Sequence, residues 1–193
     1  MKILFIQPSP YGTDCMPIKK KKLYFVGLAL PLLAALTPRD WQVEICLETI
    51  ENVPFDTDAE IIALSGMGHS IIRSIDLAKE FRARGKTVVM GGYMVSLMAE
   101  EAGKYCDAVV IGDAELVWSR LLEDYQQGRL QSRYEKKLKK LDPPLPRYDL
   151  FPGNALLGVP VRAHHHFRGY INSRLLNPAD HGRIPARVGP AFV

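Results

Sequence analysis

The stretch DAEIIALSGMGHSIIRSIDLAKEFRARGKTVVMGG, residues 58–92, decides the fold. It opens on an almost wholly apolar run at 61–64, passes through a turn of glycines and serines, continues with helical periodicity to Gly85 and resumes as a second apolar run at 87–90. Two parallel strands need a crossover of a dozen residues or more, usually a helix, and this stretch has that form. Strand runs that lack polar alternation are covered by helices on both faces, so these two belong in the middle of a sheet.

Working outward, the same alternation predicts strands at 2–7, 42–47, 60–65, 87–90 and 108–111, separated by helices at 24–36, 70–84, 96–104 and 114–127. Ser96 is expected to cap the third helix, with Glu100 and Glu101 near its positive end. The order gives an α/β fold: a flavodoxin-like, doubly wound, five-stranded parallel sheet of order 2-1-3-4-5. It occupies residues 1–128. After Gly128 the pattern fails: residues 131–141 suit a short basic strand or helix, and Pro143, Pro144 and Pro146 enforce an extended connector over 129–150. Residues 151–193 read as a loop-rich, poorly ordered extension.

Composition narrows the function classes. With 47% hydrophobic and 24% charged residues in 193, the chain is of ordinary globular type. Its net charge of +4 divides into −4 over residues 1–128 and +8 over 129–193. A basic tail suits nucleic acid or an acidic partner, but a segment lacking its folding partner has the same composition, and nucleic acid is not the expected ligand. Cys15, Cys46 and Cys106 are far apart, without metal-ligand spacing, and fit a reducing cytoplasm. The apolar stretches at 2–6 and 23–36 are too short for a membrane span, so no membrane association is expected.

In a sheet of this kind ligands bind beyond the carboxyl ends of the strands, where backbone amides and helix starts converge. Those loops carry Pro8 after the first strand, Ser65, Gly66, Met67 and His69 after the third, Gly91, Gly92 and Tyr93 after the fourth, and Gly112, Asp113 and Glu115 after the fifth. Three successive strand ends are stripped of bulk, which suits a phosphate-bearing cofactor resting on main chain. All eleven residues are candidate cofactor contacts; no catalytic residue and no metal ligand is assigned. His69 at a helix start, the His164–His166 tract and the Lys19–Lys22 run are each read as solvated or capping residues. A receiver domain would need an acidic pair after the first strand and a phosphoacceptor aspartate after the third; Gln7-Pro8-Ser9 and Ser65 supply neither. A dinucleotide site would need G-x-G-x-x-G after the first strand, where Gly12 stands alone. A flavin site through Ser9 and Thr13 is a minor alternative.

Six segments, in order, resemble a known family: Lys2-Ile-Leu-Phe-Ile-Gln-Pro, Gly27-Leu-Ala-Leu-Pro-Leu-Leu-Ala-Ala-Leu, Asp58-Ala-Glu-Ile-Ile-Ala-Leu-Ser, Arg84-Gly-Lys-Thr-Val-Val-Met-Gly-Gly, Asp107-Ala-Val-Val-Ile-Gly-Asp-Ala-Glu and Pro144-Leu-Pro-Arg-Tyr-Asp-Leu. Over residues 1 to about 150 the chain resembles the cobalamin-binding domain at the front of cobalamin-dependent radical S-adenosylmethionine enzymes. The resemblance implies that the Ser65 and Gly91 turns enclose the nucleotide tail of cobalamin. It implies no histidine ligand to cobalt, because Asp-x-His-x-x-Gly is missing from residues 8–23, and Met94 stands where many relatives carry histidine. No cysteine lies beyond Cys106, so the Cys-x-x-x-Cys-x-x-Cys iron–sulfur cluster of the family's barrel domain cannot form in this chain. The expectation is a cobalamin-binding module, not catalytic by itself, that works with a separate radical S-adenosylmethionine domain. The alternative is a non-catalytic remnant or partner-binding domain.

Overall fold

A computed structural model describes residues 1–23, 27–136 and 144–151, which lie within one compact unit. Residues 152–193 of the expected tail, with the His164–His166 tract, lie outside the described residues, as does the start of the helix expected from Tyr24.

Six strands form one parallel sheet: β1 (Lys2–Gln7), β2 (Gln42–Leu47), β3 (Ile61–Ser65), β4 (Thr87–Gly91), β5 (Ala108–Ile111) and β6 (Arg133–Glu135). Their order is β2-β1-β3-β4-β5-β6, the expected order with one short strand added beyond β5. The sheet therefore runs past residue 128.

Strand alternation divides the interior in two. Ile3, Phe5, Ile61, Ala63, Val89, Ala108 and Val110 face α1 (Ala29–Leu36) and α5 (Trp118–Gln126) in one cluster. Leu4, Ile6, Ile62, Leu64, Val88, Met90 and Val109 face α2 (Ile71–Ala83), α3 (Tyr93–Leu97) and α4 (Ala99–Ala102) in the other. The central strands are apolar throughout because each face of the sheet is covered.

The helices differ from expectation mainly at their starts. The third begins at Tyr93, directly after Gly92, whose φ of +103° turns the chain into it, and breaks at Met98. Ser96 therefore sits inside a helix and is no cap. The fourth opens with a 3₁₀ turn, Ala114–Leu116, before α5. In the connector, residues 144–151 return to the domain: the Arg147 N–H donates to the Pro31 carbonyl at 2.8 Å, and Phe151 is buried in the α1/α5 cluster.

Candidate functional site

The β3–β4 ladder continues to the sheet's carboxyl edge, pairing Ser65 with Gly91, and the Gly66 N–H donates to the Gly91 carbonyl at 2.8 Å. The β4–β5 ladder ends earlier, at Met90↔Val109. A slot of about 180 Å³ opens at this edge and runs down between the sheet and helices α1 and α5. Its lips are Ser65, Gly91, Gly92, Gly112, Asp113 and Glu115, and its walls are Phe5, Leu30, Leu33, Val89, Val110 and Trp118, with Ala63 on its floor.

Six of the eleven expected contacts thus line one cavity, and five do not. Gly66 is buried and faces away: a Cβ there would stand 3.0 Å from Ile71 Cδ1 and 3.1 Å from Val95 Cγ2. Its lack of a side chain serves packing, as does that of Gly92, whose Cβ would come within 2.8 Å of the Gly66 carbonyl oxygen. Pro8 is buried under the first loop, while Met67, His69 and Tyr93 are exposed outside the slot, Tyr93 at 70%.

The walls were not among the expected residues. Phe5, Ala63, Val89 and Val110 share one strand parity, and Trp118 follows Glu115 by one helical turn; that combination is the signal that leads to them. Among the described residues no Lys, Arg or His lines the slot, and two carboxylates stand at its mouth. An anion resting there would lose water and meet Asp113 and Glu115, with no cation among the described lining residues. The slot suits an uncharged apolar arm whose polar end offers hydroxyl, amine or other donor groups. Its volume is below the range of roughly 300–1,000 Å³ usual for drug-sized ligands, so a macrocycle would remain outside.

A polar network at the ends of β1 and β2 also went unforeseen. Glu48, 2% exposed, accepts from Arg73 Nη2 at 2.6 Å and Nε at 2.9 Å, and from the Ser9 N–H at 2.9 Å. Tyr11 donates to Asp76 at 2.7 Å, which ties the first loop to α2. Burial alone would lower the Arg73 pKa, but the bonds to Glu48 and Tyr11 carry it above its ordinary value. Lys19 departs from the expected solvated run: its ammonium donates to the Glu48 carbonyl at 2.6 Å and to that of Glu51.

Burial pushes the Cys46 thiol up to about 12 and that of Cys106 to about 11, so neither is a thiolate nucleophile near neutral pH. Among the described residues there is no group of three or more His, Cys, Asp or Glu that could hold a metal, and no helix is long and apolar enough to cross a membrane. Met16, Ile18, Met67, Ile72, Tyr93 and Leu97 are exposed on the segments that leave the carboxyl ends of β1, β3 and β4. The first loop also exposes Asp14, Lys20, Lys21 and Lys22, so the edge mixes apolar and charged side chains.

No family model matches the chain. Among curated proteins it is 36% identical over 111 residues, 57% of the chain, to bacteriochlorophyllide d C-8(2)-methyltransferase of Chlorobaculum tepidum. It is 26% identical over 123 residues to bacteriochlorophyllide d C-12(1)-methyltransferase of the same organism, and 27% identical over 147 residues to an uncharacterized methyltransferase of Synechocystis sp.. The matches cover 61% and 74% of the chain. They span 25–27% of each relative, so the chain corresponds to about a quarter of the curated proteins it matches. These relatives correct the expectation of a cobalamin-binding module: they carry the names of methyltransferases, and no cobalamin-binding domain is among the matches.

Proposed function

We propose that this chain is an α/β segment of a larger methyltransferase and that its slot holds one arm of the methyl donor. The observation that carries the reading is the slot itself: apolar walls, glycine lips and two carboxylates at the carboxyl edge of the sheet, in a chain whose relatives are named methyltransferases. Donor groups on a sugar, or a cationic centre, would meet Asp113 and Glu115 at the mouth. The donor's remaining bulk, with the methyl group, would lie outside, against the exposed edge. The rest of the enzyme would close over that edge and exclude water from the transfer. Two of the relatives are named for a flat tetrapyrrole substrate, and a substrate of that class would also be met at the edge.

The test uses tryptophan fluorescence, because the chain has two tryptophans and Trp118 lines the slot. In a Trp41→Phe background the protein is titrated with S-adenosylmethionine. Saturable quenching of Trp118, weakened in Asp113→Ala/Glu115→Ala, supports the reading. Failure to bind overturns it.

A further inference from the structure

We infer that Ser96 is a positioning residue that sets the width of the slot's mouth by tying the Gly92 and Gly112 turns to each other. The β3 and β4 ends are held by the ladder that reaches Ser65↔Gly91. The β4 and β5 ends are not, because their ladder stops at Met90↔Val109, short of both the Gly92 turn and the Gly112 turn. Gly112 has a φ of +75°, and a Cβ there would meet nothing within 4 Å; the β5–β6 ladder holds the strand as far as Ile111, on the side away from β4.

The Ser96 hydroxyl crosses this gap. Its Oγ donates to the Gly92 carbonyl at 3.0 Å and accepts from the Gly112 N–H at 3.0 Å. One oxygen thus uses its single proton on one lip and one of its two lone pairs on the other. The residue is itself fixed. It lies in α3, its own N–H donates to the Gly92 carbonyl at 2.9 Å, and its neighbour Val95 is fully buried. A hydroxyl on a rigid helix therefore holds the β5 turn at a set distance from the β4 turn, and the cavity lies directly beneath both.

The consequence for donor affinity rests on the function proposed above, but the geometry is testable without any ligand. In the full chain carrying Trp41→Phe, two quantities are measured: exchange of the Gly112 amide by NMR, and quenching of Trp118 by acrylamide, a small neutral probe able to enter the slot. Ser96→Ala is expected to speed Gly112 exchange by about fivefold, the loss of one net hydrogen bond, and to raise the quenching constant. The isosteric pair Ser96→Thr and Ser96→Val gives the control, since Thr retains the hydroxyl and restores both readings while Val does not. Unchanged Gly112 exchange in folded Ser96→Ala and Ser96→Val overturns the inference. So does an equal acceleration at Gly128, which lies after α5, since that is general loosening. Should S-adenosylmethionine fail to bind wild-type protein while Ser96→Ala still frees Gly112, the proposed function fails and the positioning role stands.

Discussion

At the scale of single residues, two glycines with the same sign of φ answer differently to one added methyl group. Gly92 combines a φ of +103° with a Cβ position 2.8 Å from a backbone oxygen, so alanine there must move main chain. Gly92→Ala is expected to cost about 2–3 kcal/mol, and Gly112→Ala, which meets open space, about 1 kcal/mol from the left-handed conformation alone. Equal midpoint shifts in urea denaturation would show that the Gly66–Gly92 contact carries no weight. The two tryptophans form a second contrast. Trp118 Nε1 donates to Thr37 Oγ1 at 3.0 Å and its ring stands 5.4 Å from that of Phe5, whereas Trp41 Nε1 is buried without an acceptor among the described residues. Removing an unsatisfied donor recovers part of what burying it cost, so Trp41→Phe is expected to lie within about 1 kcal/mol of wild type while Trp118→Phe loses about 2 kcal/mol or more. Thermal unfolding of the two variants checks the order, and the first variant is the one on which the fluorescence experiments depend.

Among elements, β6 shows how a three-residue edge strand is kept in place. Asp124 on α5 accepts from Tyr134 at 3.0 Å, from Gln131 Nε2 at 3.1 Å and from Arg129 Nε at 2.9 Å, so one carboxylate gathers the turn and the strand. Burial alone would raise its pKa; the bonds from Tyr134 and Arg129, with the nearby charges of Arg129 and Arg120, outweigh burial and lower it. A carboxyl lowered in the folded state contributes stability that is present above its ordinary pKa, about 3.9, and lost as pH falls through the folded value. Asp124→Asn is therefore expected to be less stable than wild type at pH 7, with the difference narrowing below about pH 4. Urea midpoints at pH 7 and pH 3 measure this, and a gap that stays constant removes Asp124 as the anchor of β6. The same strand marks the limit of what could be read locally. β1, β3, β4 and β5 were legible as apolar runs and β2 by its alternation into Ile45-Cys46-Leu47, whereas at 131–141 strand and helix were left open, because Arg-Tyr-Glu at 133–135 has one buried side chain and its anchor on α5 leaves no local pattern. The early start of α3 was hidden for a related reason: the positive φ of Gly92, not a capping side chain, begins that helix.

For the molecule as a whole, the division of the interior into two clusters explains both what the sequence revealed of the site and what it concealed. Glycines at three successive strand ends disclosed the edge and the lips. The walls stayed hidden because Phe5, Ala63, Val89, Val110 and Trp118 are the residues any core would use, and only their incomplete packing against α1 and α5 separates slot from core. That difference can be tested by adding the same bulk to each face. Ala63 on β3 lines the slot, while Ala78 on α2, fully buried, belongs to the opposite cluster. Leucine at position 63 has the slot's volume, about 180 Å³, to enter and gains apolar burial there, so Ala63→Leu is expected to match or exceed wild-type stability while abolishing quenching of Trp118 by a bound donor. Ala78→Leu has to displace packed neighbours and is expected to cost about 1–3 kcal/mol with the slot intact. Paired denaturation and fluorescence titrations of the two variants give the comparison. If Ala63→Leu is as damaging as Ala78→Leu, the space beneath the lips is ordinary core that cannot admit a ligand, and the binding role assigned to that face is lost with it.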